Sequence, residues 1–249
     1  MADATILAAG NRGFFEEGRG KGIFGWIFST DHKRIGLLYF YAIISFFLVA
    51  VILGFLMRLE LIAPGKTIMD AKTYNQVFTL HGVIMIFLFV IPGIPAILGN
   101  FLLPIQIGAE DVFFPRLNLL SWYIYIIGGI FAIISLFVGG APNTGWTFYV
   151  PFSVETESGV TFTVLAAFIL GMSSMLTGLN FITTIHRLRT RLMGWLQMPL
   201  FSWSIYATSW VQLLATPILS ITLLLIVIER IFGVGLFDPN RGGDPILYQ

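Results

Sequence analysis

The stretch VFTLHGVIMIFLFVIPGIPAILGNFLL, residues 77–103, decides how this sequence folds. It contains no Asp, Glu, Lys or Arg, and its one histidine, His81, stands near its start. A membrane helix needs roughly 20 apolar residues to cross the hydrocarbon of a bilayer, and this segment exceeds that. Four further stretches read the same way: 35–57, 119–139, 162–185 and 201–228. None is amphipathic enough for a surface helix, and none alternates like a barrel strand. The expected fold is all-α: a polytopic membrane helix bundle of five transmembrane helices.

Composition agrees. Of the 249 residues, 57% are hydrophobic and 11% charged, and the mean hydropathy is +0.87. An average soluble domain is about 25% charged, so in water this chain would expose apolar patches and aggregate. Lipid is the implied solvent. The 14 Lys and Arg nearly cancel the 13 Asp and Glu, leaving no basic excess for nucleic acid. The absence of cysteine excludes disulfides, thiolate metal sites, iron–sulfur clusters and covalent heme attachment within these residues. Any heme or metal held by the chain must use His, Met or oxygen ligands.

Lys and Arg resist translocation, so their distribution predicts orientation. Arg12, Arg19, Lys21, Lys33, Arg34, Arg116, Arg187, Arg189 and Arg191 fall on one side. Arg58, Lys66, Lys72, Arg230 and Arg241 fall on the other. The N-terminus is therefore expected inside and the C-terminus outside. Residues 1–28 are read as a cytoplasmic tail ending in a short amphipathic stretch, and 29–249 as the five-helix domain.

Polar residues inside these spans are the candidates for function, because an unsatisfied polar group in hydrocarbon costs several kcal/mol. His81 could hold heme iron through a neutral imidazole, with Gly82 letting a flat macrocycle approach the backbone. From residue type alone, a histidine hydrogen-bonded to a Ser or Thr of another helix is the commoner case. His32 and His186 read as interfacial. Pro92 and Pro95 should kink or widen their helix. Ser173, Thr177, Asn180 and Thr184 recur at spacings of four, three and four, with Ser174 beside them, and so share one helix face. Such a stripe serves helix–helix hydrogen bonding or orders water for proton transfer. Asn100, Asp111, Arg116 and Asn118 gather at one membrane face, where Asp111 is either a proton collector or a solvated loop charge. Arg58 either snorkels to headgroups or donates to a buried cofactor. Trp146 and Tyr149 read as belt aromatics.

Taken in order along the chain, several segments resemble subunit I of the heme-copper terminal oxidases of the cytochrome c oxidase type. They are STDHKRIG (29–36), TLHG (79–82), GN (99–100), IGAED (107–111), FPRLN (114–118), GW (145–146), NFITT (180–184), FDP (237–239) and GGDPILYQ (242–249). The last is more similar to the cytochrome c-oxidising branch than to the quinol-oxidising one. The resemblance implies that His81 is an axial ligand of low-spin heme A, and that Arg58 hydrogen-bonds the formyl group of that heme. It makes Asp111 the entrance of a proton pathway, with Asn100 and Asn118 beside it and Ser173, Ser174 and Asn180 ordering water further in. Trp146 would lie by a propionate of the high-spin heme, and Glu60 would match a ligand of an outer calcium or sodium site.

The same resemblance implies an oxygen-reducing, proton-translocating oxidase in a bacterial inner (plasma) membrane. Its partners would be a copper-bearing subunit II, subunit III and cytochrome c as electron donor. Three departures stand out: Leu170 where a serine is common, Asn118-Leu119 in place of paired asparagines, and the arginine-rich run 186–191. In the family, Leu-Tyr-Gln leads into the helix that begins the copper site, and the sequence given stops at Gln249. The ligands of the high-spin heme and copper, and the second axial histidine of heme A, are thus expected from a companion chain or from sequence beyond it. The alternatives are a noncatalytic oxidase-derived heme-binding or assembly protein, and a transporter whose polar stripe carries solute.

Overall fold

The computed structural model describes residues 22–248. The expected tail over 1–21, with Arg12, Arg19 and Lys21, lies outside the described residues. A short helix, α1 (Gly22–Ile27), precedes α2 (His32–Glu60). Then come α3 (Ala71–Ile107), α4 (Pro115–Phe137), a one-turn α5 (Phe152–Glu155), α6 (Val160–Leu188) and α7 (Leu200–Phe232). Among the described residues, α2, α3, α4, α6 and α7 are the helices long and apolar enough to cross a membrane, as the hydropathy predicts.

Helix starts follow local chemistry. Asp31 caps α2 by accepting from the Lys33 amide at 3.0 Å, and Asp70 caps α3 by accepting from that of Thr73 at 2.9 Å. Pro115 opens α4, where its missing amide costs nothing. The expected widening around Pro92 and Pro95 is present: residues Ile84–Val90 and Gly93–Gly99 of α3 form π-helical turns. α4 ends at Phe137, two residues short of the expected span, because Gly139 and Gly140 both turn to positive φ.

Packing places α6 alongside both α4 and α7, α2 against α3, and the first half of α7 back on the second half of α3. Small residues permit the close approaches. A Cβ at Gly128 of α4 would stand 2.8 Å from Cγ of Leu170 on α6. The departure at position 170 therefore has a steric counterpart: leucine fills the hollow that Gly128 leaves.

The chain turns alternate between two faces. His32, Ile107, Pro115 and Leu188 mark one, called here the His32 face; Glu60, Ala71, Phe137 and Phe232 mark the other. On the Glu60 face three charged side chains hold loops by backbone contacts. Glu60 accepts from the amides of Thr67, Ile68 and Met69 at 3.0, 2.7 and 2.9 Å. Glu229 accepts from Phe237 and Asp238 at 2.7 and 2.9 Å. Arg230 donates to the carbonyls of Ser153, Val154, Thr156 and Ser158 and to the Thr161 hydroxyl.

Candidate functional site

His81 projects from α3 onto α2. Its Nδ1 lies 2.8 Å from the carbonyl oxygen of Ala50. A carbonyl can only accept, so Nδ1 carries the proton and, in the neutral ring, Nε2 keeps its lone pair. That is the tautomer a metal-binding imidazole needs, fixed by a backbone acceptor in the manner of metal-site histidines. The partner is thus a main-chain carbonyl and not the Ser or Thr hydroxyl that a core histidine would be expected to find. The ring is half-buried against Gly54, four residues beyond Ala50. Arg58, four residues further, shares that face of α2 and is exposed. Ala50, Gly54 and Arg58 thus share the face of α2 on which His81 rests, and the contact with Ala50 uses one of the two imidazole nitrogens.

Gly82 does not open a path to such a ring. A Cβ there would stand 2.9 Å from Trp146, so the glycine seats that tryptophan. This corrects the expectation that Gly82 admits a macrocycle. The Trp146 loop is docked from both sides. The Gly145 amide donates to Thr79 Oγ1 at 2.8 Å, and the Tyr248 hydroxyl to the Thr147 carbonyl at 2.6 Å. Burial pushes the Tyr248 hydroxyl up to about 12, so it keeps its proton at physiological pH. Trp146 is 41% exposed, and its loop stands beside His81. Both oxygens of Glu60 are engaged by backbone amides, as described. Among the described residues no group of three or more His, Asp and Glu side chains is placed to hold a metal ion.

A second set of polar groups begins at the His32 face. His32 is 3% exposed, and its Nδ1 donates to the Asn100 carbonyl at 2.6 Å. The interfacial reading of His32 is thereby corrected: the helix α2 starts inside the bundle's edge, and the ring finds an acceptor across it. His186, by contrast, is exposed, with Nε2 2.9 Å from the Tyr206 hydroxyl. Asp111 lies beside His32 and accepts from the amides of Val112 and His32. Burial raises its carboxyl above the ordinary range; the neighbouring His32 charge opposes this and Asp31 adds to it.

From there the polar groups continue inward. Asn118 donates to Asn100 Oδ1 at 2.6 Å, both residues being fully buried. Ser121 donates to the Asn118 carbonyl at 2.7 Å, and Tyr39 donates to Ser121 Oγ at 3.0 Å. Ser173 donates to the Ser121 carbonyl at 2.7 Å, and its Oγ is 3.3 Å from the Tyr39 hydroxyl. Tyr39, Ser173, Ser174, Thr177 and Gln212 then line a void of about 10 Å³ against Pro92 and Pro95, room for about one water. Gln212 Oε1 is buried there without a protein partner.

The stripe on α6 divides its duties. Asn180 brackets the backbone of Phe114, accepting from its amide at 2.9 Å and donating to its carbonyl at 3.3 Å. Thr184 accepts from the Phe113 amide at 3.0 Å. These two pin the start of α4, while Ser173 and Thr177 face the void. Tyr39, Ser121 and Gln212 are members of this network that spacing did not single out. Their signal was a buried polar side chain on an otherwise apolar span.

Residues 34–249 match the family described as cytochrome c and quinol oxidase polypeptide I. The chain belongs to the heme-copper oxidase subunit I family. It is 38% identical to cytochrome c oxidase subunit 1 of Bacillus subtilis, over 93% of this chain and 37% of that protein. It is 42% identical to cytochrome c oxidase subunit 1 of Synechocystis, over 89% of this chain and 40% of the relative. Quinol oxidase subunit 1 of Bacillus subtilis is 36% identical over 90% of this chain and 35% of its own length. The chain thus spans two fifths or less of these relatives. Of the residues assigned by motif, Arg58, Glu60, His81, Asn100, Asp111, Asn118, Trp146, Ser173, Ser174 and Asn180 all fall within the family match.

Proposed function

We propose that this chain supplies one axial ligand of the low-spin heme and the first part of a proton pathway to an oxygen-reducing terminal oxidase. His81 carries the reading: its bond to Ala50 leaves Nε2 as the donor nitrogen of the neutral ring. Bound there, heme A would pass single electrons toward an oxygen-reducing centre of high-spin heme and copper. His81 would hold the iron, Arg58 would donate to a polar substituent of the porphyrin, and Trp146 would lie by a propionate of the high-spin heme.

The proton side rests on Asp111. A partly buried carboxyl with a raised affinity for protons can take one from water and release it inward. Asn100 and Asn118 form the adjoining pair, and Ser173 and Ser174 flank space for water, with Tyr39 and Gln212 beside them. Asn180 keeps the loop that carries Asp111 in place through Phe114. Orientation follows the positive-inside pattern, with the His32 face inward in a bacterial plasma membrane, so that protons enter from the cytoplasm. Glu60 would touch an outer calcium or sodium ion only by sharing oxygens already bonded to amides.

Subunit II with its copper, subunit III, a chain or segment carrying the rest of subunit I, and cytochrome c complete the proposed assembly. The closing GGDPILYQ supports cytochrome c over quinol as the donor. Reduced-minus-oxidised spectra of the membrane complex test the reading. Loss of the low-spin heme A band in His81→Ala is expected; an unchanged band removes His81 as ligand and favours an assembly or transport role.

A further inference from the structure

Two prolines of α3 stand four residues beyond a carbonyl that a side chain of a neighbouring helix holds. Pro104 has no amide hydrogen to give the carbonyl of Asn100. His32 Nδ1 on α2 donates to that oxygen at 2.6 Å. Pro92 has none to give the carbonyl of Leu88. The hydroxyl of Tyr125 on α4 donates to that oxygen at 2.8 Å. All four participants are buried: Asn100 and Leu88 at 0%, Tyr125 at 1% and His32 at 3% exposure. A carbonyl so enclosed cannot turn to water, and within a bilayer it must find a protein donor. In both cases the donor comes from another helix.

We propose that His32 and Tyr125 are positioning residues that stand in for the amides Pro104 and Pro92 lack, and so fix the course of α3 between His81 and Asn100. The two act on different stretches. Leu88 lies two turns from His81, so Tyr125 holds the π-helical region that the ligand helix enters. His32 holds the opposite end, where the Asn100 side chain meets Asn118. It also gives its own backbone amide to Asp111, so a single residue ties Asn100 and Asp111 to the start of α2. What is being positioned rests on the function proposed above; the four bonded partners do not.

The assigned roles make a specific demand, because alanine in place of either proline returns the amide. In the purified membrane complex, Tyr125→Phe should lower the thermal midpoint by about 2–4 °C. It should also shift the electron paramagnetic resonance signal of the low-spin heme. In a Pro92→Ala background both effects should fall by at least half. His32→Ala should slow proton uptake severalfold and lower the midpoint, and Pro104→Ala should restore both. Equal losses with and without the proline, or no loss in either background, overturn the proposal. If His32→Ala does not assemble, the Tyr125 and Pro92 pair decides alone. Thermal coupling that appears with no low-spin heme signal in the wild type would uphold the proposal and overturn His81 as a ligand.

Discussion

Gly54 of α2 and His81 of α3 meet with no room for one more carbon: a Cβ on Gly54 would lie 3.0 Å from Cε1 and 3.3 Å from Nδ1 of the imidazole. The glycine thereby sets how far the ring can sink toward α2, and the Ala50 carbonyl sets how it is turned.

Enlarging Gly54 should push the ring off its acceptor in proportion to the added bulk. Gly54→Ala is expected to move the low-spin heme band slightly, and Gly54→Val to remove most of it. Optical spectra of the complex, scaled to protein, would show this; an unaltered Val variant would place the heme elsewhere.

Asp111 carries opposite expectations for stability and function. Its native carboxyl binds a proton more tightly than an unfolded one, chiefly through burial. Such a group adds least to stability when ionised: the native state is favoured below the ordinary carboxylate value and loses ground as pH rises toward the raised one. Asp111→Asn should flatten that slope and leave the protein at least as stable at pH 7, while slowing proton uptake about tenfold, or ~1.4 kcal/mol in the barrier. Unfolding followed against pH, with uptake measured by a pH dye, separates the two.

The Leu170 side chain fills the hollow at Gly128, so Gly128→Ala should destabilise by about 1–3 kcal/mol through overpacking. In a Leu170→Ala background the same change should cost less than half as much. Chemical unfolding in detergent measures both, and an equal cost in the two backgrounds would exclude this contact as its cause.

Arg230 binds five acceptors at several angles, which lysine cannot copy from one ammonium. Both Arg230→Lys and Arg230→Met should destabilise by about 2 kcal/mol or more and expose residues 152–158 to protease. Resistance equal to the wild type in limited proteolysis would show that the loop is held by other contacts.

The spans were legible because hydropathy is written along the chain, and so was the widening at Pro92 and Pro95, because a missing amide acts on its own helix. Partners in space were not. His32 precedes an apolar run, where histidine ordinarily meets the interface; its burial depends on an acceptor that a distant proline leaves open. Gly82 gave no sign of which group would fill it, since Trp146 arrives on a loop that follows the next helix. The α6 stripe was readable as one face, yet its division between pinning Phe113 and Phe114 and lining a void depends on the depth at which α4 crosses it.

The charged side chains at the Glu60 face have a consequence for the medium the protein tolerates. Dissolved ions weaken attraction between separated solvent-exposed charges, with a Debye length of about 8 Å at physiological ionic strength. Glu60, Glu229 and Arg230 instead grip main-chain amides and carbonyls at direct contact, partly shielded from water. Loops fastened in this way should keep their shape from dilute buffer to molar salt, so that a change in salinity at that face leaves their fold intact.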